Sequence, residues 1–316
     1  MKRVLFGRLP GILYVLCFYF VLANSVNAQT VPFRYALIPE NPRPGEPVTV
    51  AVSAGSNARS AVLMMGGQRL TRAAFFFVPA DGEAQSFMTA VLAVPATTRP
   101  GRAQINIESA AGIIGEIVLH IAEREFVSET IDLNETLSSI RADPDPQKTA
   151  ESEYLWAILT RTGVDIYSFG TFSPPVTSTR RTSFFGDRRV FRYANGRTDT
   201  SIHAGVDYGV PKGTPVSACA SGKVVLARFR IVTGNSVIIE HLPGVYSLYY
   251  HLDKIDVAEG VMVSAGTILG LSGATGLATG PHLHWEIRVS GENADPDAFI
   301  SRPVLDKDAI LGKISN

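Results

Sequence analysis

Four of the six histidines in this chain form, with one aspartate, a spaced pattern in its C-terminal half. The pattern reads His203-x-x-x-Asp207, then His251, then His282-x-His284. Imidazole and carboxylate groups suit Zn²⁺, and a catalytic zinc site uses about three protein ligands and keeps one position for water. The pattern therefore predicts a three-ligand zinc site with an open coordination position, and two further imidazoles that can carry protons.

The last histidine pair indicates a β-strand, because side chains two residues apart on a strand share a face. In the segment that starts at Pro281, His282 and His284 share a polar face. Proline is tolerated at the first position of a strand. We predict that the opposite face is buried; its residues are Leu283, Trp285, Ile287 and Val289.

The spacing of His203 and Asp207 fits one face of a strand and, roughly, one face of a helix. Gly205 and Gly209 lie within and just after this segment. Because glycine is unfavourable inside a helix, we predict an extended segment here.

Seven ordered motifs lie between residues 180 and 300. They are Phe185-Gly186-Asp187-Arg188, His203-Ala204-Gly205-Val206-Asp207, Gly213-Thr214-Pro215-Val216, Ala220-Ser221-Gly222-Lys223-Val224, Gly234-Asn235, Tyr249-Tyr250-His251-Leu252 and Thr275-Gly276-Leu277-Ala278-Thr279-Gly280-Pro281-His282-Leu283-His284. With these motifs, residues 180–300 resemble the lysostaphin-type zinc endopeptidases that cut peptidoglycan peptides, the M23 peptidase group. The glycine-rich stretch from Gly266 to Gly280 lacks the Gly-Lys-Ser/Thr sequence of a phosphate-binding loop, and it leads into a predicted strand.

The resemblance implies a role for each residue of the pattern. One Zn²⁺ per chain would be held by His203, Asp207 and His284, and the catalytic histidines would be His251 and His282. Zinc lowers the pKa of a bound water, and a neutral imidazole can move that proton to the leaving amine. We assign transfer of this proton to His251. We assign contact with the developing oxyanion or with the attacking water to His282. The alternative is that the two histidines share these roles.

Other polar residues near the motifs have two interpretations each. Glu286, one step past His284 on the same face, would orient a ligand imidazole or form an ordinary salt bridge. Three tyrosines would donate to a transition state or pack in the core; they are Tyr208, Tyr249 and Tyr250. Five arginines would bind carboxylates of a cell-wall peptide or form a solvated face; they are Arg180, Arg181, Arg188, Arg189 and Arg192.

We predict no catalytic or metal-binding role for the two remaining histidines or for the second cysteine. His120 lies in a strand-like run and His241 ends another, and we predict that both are structural. Cys219 is the only cysteine outside the first 28 residues, so no internal disulfide is expected. A lone cysteine in an oxidising compartment is expected to be buried.

The start of the chain predicts export. Basic residues precede an apolar run over residues 11–22, which is short for a membrane span, and Val26-Asn27-Ala28 has the small-residue form of a cleavage site. We predict a signal peptide over residues 1–28, no membrane span after its cleavage, and a location in the periplasm or cell envelope. An uncleaved N-terminal anchor is the alternative.

The rest of the chain predicts a mainly β protein. Short apolar runs punctuated by turn residues indicate a β-sandwich over residues 29–124, which resembles immunoglobulin-like domains. Residues 125–175 are predicted to be a linker with a loop and a short helix that starts at Asp145-Pro146. We predict an antiparallel β peptidase domain over residues 176–301, of the lysostaphin type, and a C-terminal tail over residues 302–316.

The resemblance implies a zinc endopeptidase acting on peptide cross-links of peptidoglycan, and the predicted signal peptide agrees with a secreted protein. The 29 basic and 29 acidic residues balance, which gives no electrostatic case for nucleic acid binding. The alternative is a non-catalytic or autoinhibited regulator of the same fold that activates cell-wall amidases. The bond that is cut, the role of the front domain and the oligomeric state stay open.

Overall fold

The structure is a computed structural model that describes residues 34–80, 82, 85–161 and 163–315. These residues form one compact unit. Within this part of the chain, every helix is too short or too polar to cross a membrane. The predicted signal peptide lies outside the described residues.

Two four-stranded antiparallel sheets form the first part of the unit, as predicted for a sandwich. Their strands are β1 Tyr35–Ile38, β2 Pro47–Ser53, β3 Ser60–Met65, β4 Gln68–Ala74, β5 Phe76–Val78, β6 Phe87–Ala93, β7 Gly101–Ser109 and β8 Gly112–Ile121. The first sheet has the order β1-β2-β6-β5 and the second the order β4-β3-β7-β8. Strands β3 and β4 contact β6, so the sheets pack together. The immunoglobulin-like assignment remains a prediction.

The first sheet is buried more completely than the second. Nearly every residue of β2 and β6 is buried, whereas the second half of β8 alternates buried and exposed residues. Alternation is typical of a sheet with one face in water, and continuous burial is typical of a sheet covered on both faces. Residues that follow the sandwich in the chain supply the second cover, which lies over the other face of this first sheet.

The linker holds three elements, which are β9 Ser128–Asp132, α1 Glu135–Ala142 and α2 Pro146–Leu159. The predicted helix is confirmed as α2, with Pro146 in its first turn and the Asp145 side chain accepting from the backbone N–H of Gln147. Strand β9 and helix α1 were not predicted from the sequence. Helix α1 starts after Asn134, whose side chain accepts from the N–H of Leu137.

The remaining strands belong to two sheets, and the larger of these positions the histidines. They are β10 Arg181–Ser183, β11 Arg188–Arg192, β12 Thr198–Ile202, β13 Gly205–Tyr208, β14 Pro215–Ser217, β15 Gly222–Arg230, β16 Gly234–Leu242, β17 Val245–Ile255, β18 Met262–Val263, β19 Ile268–Ser272, β20 Leu283–Val289 and β21 Glu292–Ala294. The path β10-β13-β20-β17-β16-β15-β18 runs through this ten-stranded antiparallel sheet. As predicted, Leu283, Trp285, Ile287 and Val289 are fully buried.

A separate three-stranded sheet stands beside the large one, in the order β12-β11-β9. Strand β9 of the linker pairs with β11 in parallel, and β11 pairs with β12 as an antiparallel hairpin. Strand pairing therefore integrates the linker into the structure around the sheet. Only a helix and a loop were predicted for this segment.

The chain ends with two helices, α3 Pro296–Ser301 and α4 Lys307–Ile314. Helix α4 lies in the segment that the sequence analysis treats as a tail. Its Ile310 and Ile314 are buried, and it packs against β1 and β2. The hydroxyl of Thr49 in β2 donates to the carbonyl oxygen of Val304 at 2.8 Å. The C-terminal residues therefore supply part of the second cover of the first sheet.

Candidate metal centre

Two antiparallel strands bring the aspartate and one histidine of the pattern face to face. In the pairing of β13 with β20, Asp207 lies directly opposite His284. His203 lies two residues before β13 begins, in the extended segment that the sequence predicts. Gly205 permits the close approach of the strands, because a Cβ atom there would lie 2.1 Å from the carbonyl oxygen of Trp285.

Three ligand atoms from these residues converge on one point. Nε2 of His203 lies 3.2 Å from Oδ1 of Asp207 and 3.0 Å from Nδ1 of His284. Oδ1 of Asp207 and Nδ1 of His284 are 2.7 Å apart. Ligand atoms at zinc distances on a tetrahedron lie roughly 3.3 Å from one another. The three buried side chains therefore fit one face of a slightly contracted zinc tetrahedron.

The second nitrogen of each imidazole fixes which atom faces this point. Nδ1 of His203 donates to the carbonyl oxygen of Phe184 at 2.8 Å, since a carbonyl oxygen can only accept. Nε2 of His284 donates to Oε1 of Glu286 at 2.9 Å. Each ring therefore carries its proton on the nitrogen that faces away from Asp207. The other nitrogen directs its lone pair toward the carboxylate of Asp207. Three mutually adjacent acceptors need a cation between them, which is how a metal site is built.

The charges around His284 favour a cation at this point. Burial opposes a charge on this ring, but Asp207 and Glu286 raise the pKa of His284 to about 9. Burial also raises the pKa of Glu286, but Arg288 and His284 outweigh it and hold that pKa well below its ordinary value. A proton on His284 and a metal cation thus compete for the same place. The contact between Glu286 and His284 agrees with the orienting role considered for Glu286.

His251 lies beside the three ligand atoms in a strained backbone conformation. Its φ of 63° is uncommon for a residue other than glycine. Val237 pairs with Tyr249 while Asn235 pairs with Leu252, so β17 carries one extra residue here, a β-bulge. Bulges re-aim side chains, and strain of this kind is concentrated at functional sites.

Both non-ligand histidines are positioned as neutral proton acceptors. Nδ1 of His251 donates to the carbonyl oxygen of Thr275 at 2.7 Å, and Nδ1 of His282 donates to that of Gly280 at 2.9 Å. Their ring centroids are 4.8 Å apart. Burial and the neighbouring imidazoles lower the pKa of His251 to about 3, and burial also lowers the pKa of His282. Each ring therefore keeps Nε2 free of a proton.

Comparison with known proteins agrees with this geometry. The profile of peptidase family M23 matches residues 201–296, which contain all five residues of the pattern. Residues 201–296 form a peptidase family M23 domain. A stretch of 122 residues is 41% identical to the DD-carboxypeptidase/endopeptidase Mpg of Neisseria meningitidis and covers 39% of this chain and 27% of that protein.

A second relative and a solved structure extend the comparison of the M23 domain. A stretch of 117 residues is 43% identical to the peptidoglycan DD-endopeptidase ShyA of Vibrio cholerae and covers 37% of this chain and 27% of that protein. The matched part of this chain thus spans little more than a quarter of either relative. A crystal structure assigned as a peptidase M23 of Pseudomonas aeruginosa is 27% identical, with a TM-score of 0.57, and covers 82% of this chain and 94% of that one.

The cleft of the M23 domain has an apolar wall from outside the matched residues. A cavity of about 260 Å³ adjoins the pattern residues. Ile131 and Leu133 of the linker and Phe191 of β11 line it, and Leu277 faces them from the loop before β20. This apolar wall was not predicted from the sequence. Strand β9 offers little signal, since Ile131 is its only apolar residue.

The tyrosines named in the sequence analysis differ in position. Tyr208 and Tyr249 are fully buried in the core, which confirms the packing interpretation for these two. Tyr250 lies opposite His284 in the pairing of β17 with β20. Its ring stacks on that imidazole at a centroid distance of 5.6 Å. Tyr250 therefore braces a ring of the candidate metal centre.

The arginine cluster of the M23 domain is engaged within the protein. Arg181 pairs with Asp297, and Arg192 pairs with Asp132. Arg180 and Arg188 donate to backbone carbonyl oxygens, and Arg189 pairs with two carboxylates. These five arginines are therefore bonded within the protein and do not form a free patch for the carboxylates of a ligand.

The residues predicted to be structural lie away from the cleft. His120 is exposed on β8. His241 is fully buried, with Nδ1 donating to the carbonyl oxygen of Ser221 and Nε2 beside the hydroxyl of Ser247. Cys219 is buried as predicted.

Proposed function

We propose that this protein is a zinc-dependent endopeptidase that hydrolyses peptide cross-links of bacterial peptidoglycan, with one zinc ion per chain. The convergence of the ligand atoms of His203, Asp207 and His284 beside two neutral imidazoles carries the proposal. The names of the two relatives support the substrate class, since one is a peptidoglycan DD-endopeptidase and the other a DD-carboxypeptidase/endopeptidase.

The site residues divide the work of amide hydrolysis. Zinc would supply Lewis acidity, which polarises a scissile carbonyl and lowers the pKa of a bound water. His251 accepts a proton at Nε2 and returns it to the leaving amine, because its Nδ1 is committed to Thr275. His282, fixed through Gly280, faces the same cleft, and its unprotonated Nε2 accepts a hydrogen bond from the attacking water. The apolar wall excludes water and strengthens these polar interactions.

The proposed compartment follows from the substrate. A cross-link hydrolase must reach the cell wall, and residues 1–28 have the pattern of a secretory signal. We therefore place the protein outside the cytoplasmic membrane, in the periplasm or cell envelope. The balanced charge gives no reason to expect a nucleic acid partner.

The test uses purified residues 29–316 and purified peptidoglycan sacculi. The protein is incubated with sacculi with and without a zinc chelator, the glycan strands are then cut with a muramidase, and the resulting muropeptides are identified by mass. We expect cross-linked muropeptides to disappear only when metal is present. The masses of the products identify the bond that is cut.

His284→Ala and His120→Ala are the matched variants for this test. The first removes a proposed ligand and is expected to abolish both zinc binding and cleavage of cross-links. The second removes an exposed histidine on β8 and is expected to leave both unchanged. Full activity of a metal-free His284→Ala protein would refute the proposed function.

A further inference from the structure

Arg189 of β11 joins the proposed ligand Asp207 to the linker. Its Nη2 donates to Oδ2 of Asp207 at 2.6 Å, and its Nε donates to Oε1 of Glu129 in β9 at 2.6 Å. Glu129 also accepts from the hydroxyl of Ser183 at 2.7 Å. The arginine side chain is only 15% exposed. A guanidinium group held at two corners is a rigid donor.

The contact of Arg189 occupies the oxygen of Asp207 that faces away from the histidines. Oδ1 is the atom close to His203 and His284, while Oδ2 accepts from the guanidinium. A carboxylate that is free at both oxygens can chelate a metal with both, and it then takes two coordination positions. Because Oδ2 accepts this hydrogen bond from Arg189, only Oδ1 of Asp207 is available to bind a metal.

We propose that Arg189 and Glu129 are positioning residues that restrict Asp207 to a single ligand atom and so keep a coordination position open for water. The proposal rests on the proposed function as a zinc hydrolase. Glu129 lies outside the matched residues 201–296, in the linker that precedes them. The surroundings of the candidate metal centre therefore include β9, and the parallel pairing of β9 with β11 places Glu129 beside Arg189.

The same two strands provide a matched control pair. Arg192 and Asp132 are also partners in the pairing of β11 with β9, and they form a salt bridge at 3.2 Å. Both side chains are more than half exposed, and they make no contact with Asp207. Arg192→Met and Asp132→Asn therefore repeat the chemical changes of Arg189→Met and Glu129→Gln away from the candidate metal centre.

The experiment replaces zinc by Co²⁺ in the folded protein of residues 29–316 and records its visible absorption spectrum. Four-coordinate Co²⁺ absorbs more strongly than Co²⁺ with five or six ligands. We expect weaker absorption in Arg189→Met, because Oδ2 becomes a ligand, and an intermediate spectrum in Glu129→Gln. Turnover of sacculi by the zinc form of Arg189→Met should fall roughly 10- to 100-fold. Arg189→Lys, which can still donate to Oδ2, should recover part of both signals.

A purely structural role of Arg189 would lower thermal stability without changing the cobalt spectrum. A folded Arg189→Met protein that binds one Co²⁺ with the wild-type absorption would overturn the proposal. Should Arg189→Met not fold, a Glu129→Gln spectrum identical to those of Asp132→Asn and the wild type would overturn it equally. If the wild-type protein binds no metal or leaves sacculi intact, the proposed function itself has failed, which is a separate result.

Discussion

His241 provides a direct test of how burial controls ionisation in this fold. Its ring is fully buried between Phe172, Cys219 and Ser247. Burial lowers the pKa of His241 from 6.5 to about 4. The neighbouring ionisable groups stay neutral, because burial raises the pKa of Cys219 to about 12 and that of Tyr249 well above its usual value. Within the described part of the chain, a protonated His241 therefore has no counter-charge beside it.

The sign and size of the effect follow from proton linkage. An unfolded chain binds a proton at this histidine below pH 6.5, and the folded protein binds it only below about pH 4. The unfolded state therefore binds more protons between these values, and the free energy of unfolding falls as the pH falls. Since one pKa unit corresponds to about 1.4 kcal/mol, His241 should remove about 3 kcal/mol of stability between pH 7.5 and pH 4.

The assay is urea-induced unfolding of the wild type and of His241→Asn over this pH range. Asparagine keeps a neutral N–H group that can donate to the carbonyl oxygen of Ser221, and it does not titrate. A chelator is present throughout, so that release of metal at low pH does not contribute. The difference in free energy of unfolding between the two proteins isolates the contribution of this histidine.

The wild type should lose about 3 kcal/mol more than the variant as the pH falls from 7.5 to 4. Parallel stability curves for the two proteins would show that His241 takes up a proton in the folded state without cost. That result would refute the claim that the polar groups around it cannot support a charge.

Four further predictions concern the cleft, the strands that support it and the buried Cys219. His251→Ala should retain one zinc ion per chain, measured by elemental analysis, and lose turnover of sacculi; retained turnover would remove this residue from proton transfer. Glu286→Gln should weaken zinc binding roughly 10- to 100-fold in a chelator competition, because it is the partner that orients a ligand imidazole; unchanged affinity would contradict this. Gly205→Ala should destabilise the protein by more than about 2 kcal/mol in thermal unfolding, since its Cβ would lie 2.1 Å from the carbonyl oxygen of Trp285; a melting temperature equal to that of the wild type would show that the strands can separate at no cost. The thiol of Cys219 should react with a disulfide reagent only after unfolding, because it is buried with a pKa of about 12; rapid reaction in the native state would indicate local opening.

The parts of the structure that follow local rules could be predicted from the sequence. Alternation of Leu283, Trp285 and Ile287 with polar residues predicts a strand whose apolar face is buried, and β20 confirms this burial. The N-cap of Asp145 followed by Pro146 predicts the start of α2. These signals lie within one element, so they do not depend on where the rest of the chain packs.

The features that depend on pairing between distant segments could not be predicted in the same way. The bulge at His251 becomes visible only once the register of β17 against β16 is known. Strand β9 is short and polar, and its parallel partner β11 lies more than fifty residues further along the chain. The second contact of Asp207, with Arg189, depends on that pairing. Spacing therefore predicts which residues meet in the cleft, whereas register decides how each one is held.

The candidate metal centre depends on more of the chain than the matched residues. One continuous core contains Phe87 and Val91 of the first sheet together with Ile287, Val289 and Phe299 of the M23 domain and its last helices. At its edge, the guanidinium of Arg124 pairs with Asp295 at 2.6 Å, with both side chains largely buried. Removing the sandwich would expose this apolar surface and leave a buried carboxylate without its partner, which costs several kcal/mol.

The sandwich is therefore better understood as a structural support for the sheet that carries His284 than as a freely moving module. Strand β20 lies in the middle of this arrangement, since its Trp285, Ile287 and Val289 belong to the common core and its His284 faces the cleft. A residue in a central, doubly supported strand has little freedom to move. A metal site needs this rigidity, because its three ligand atoms must stay within about half an ångström of a fixed geometry.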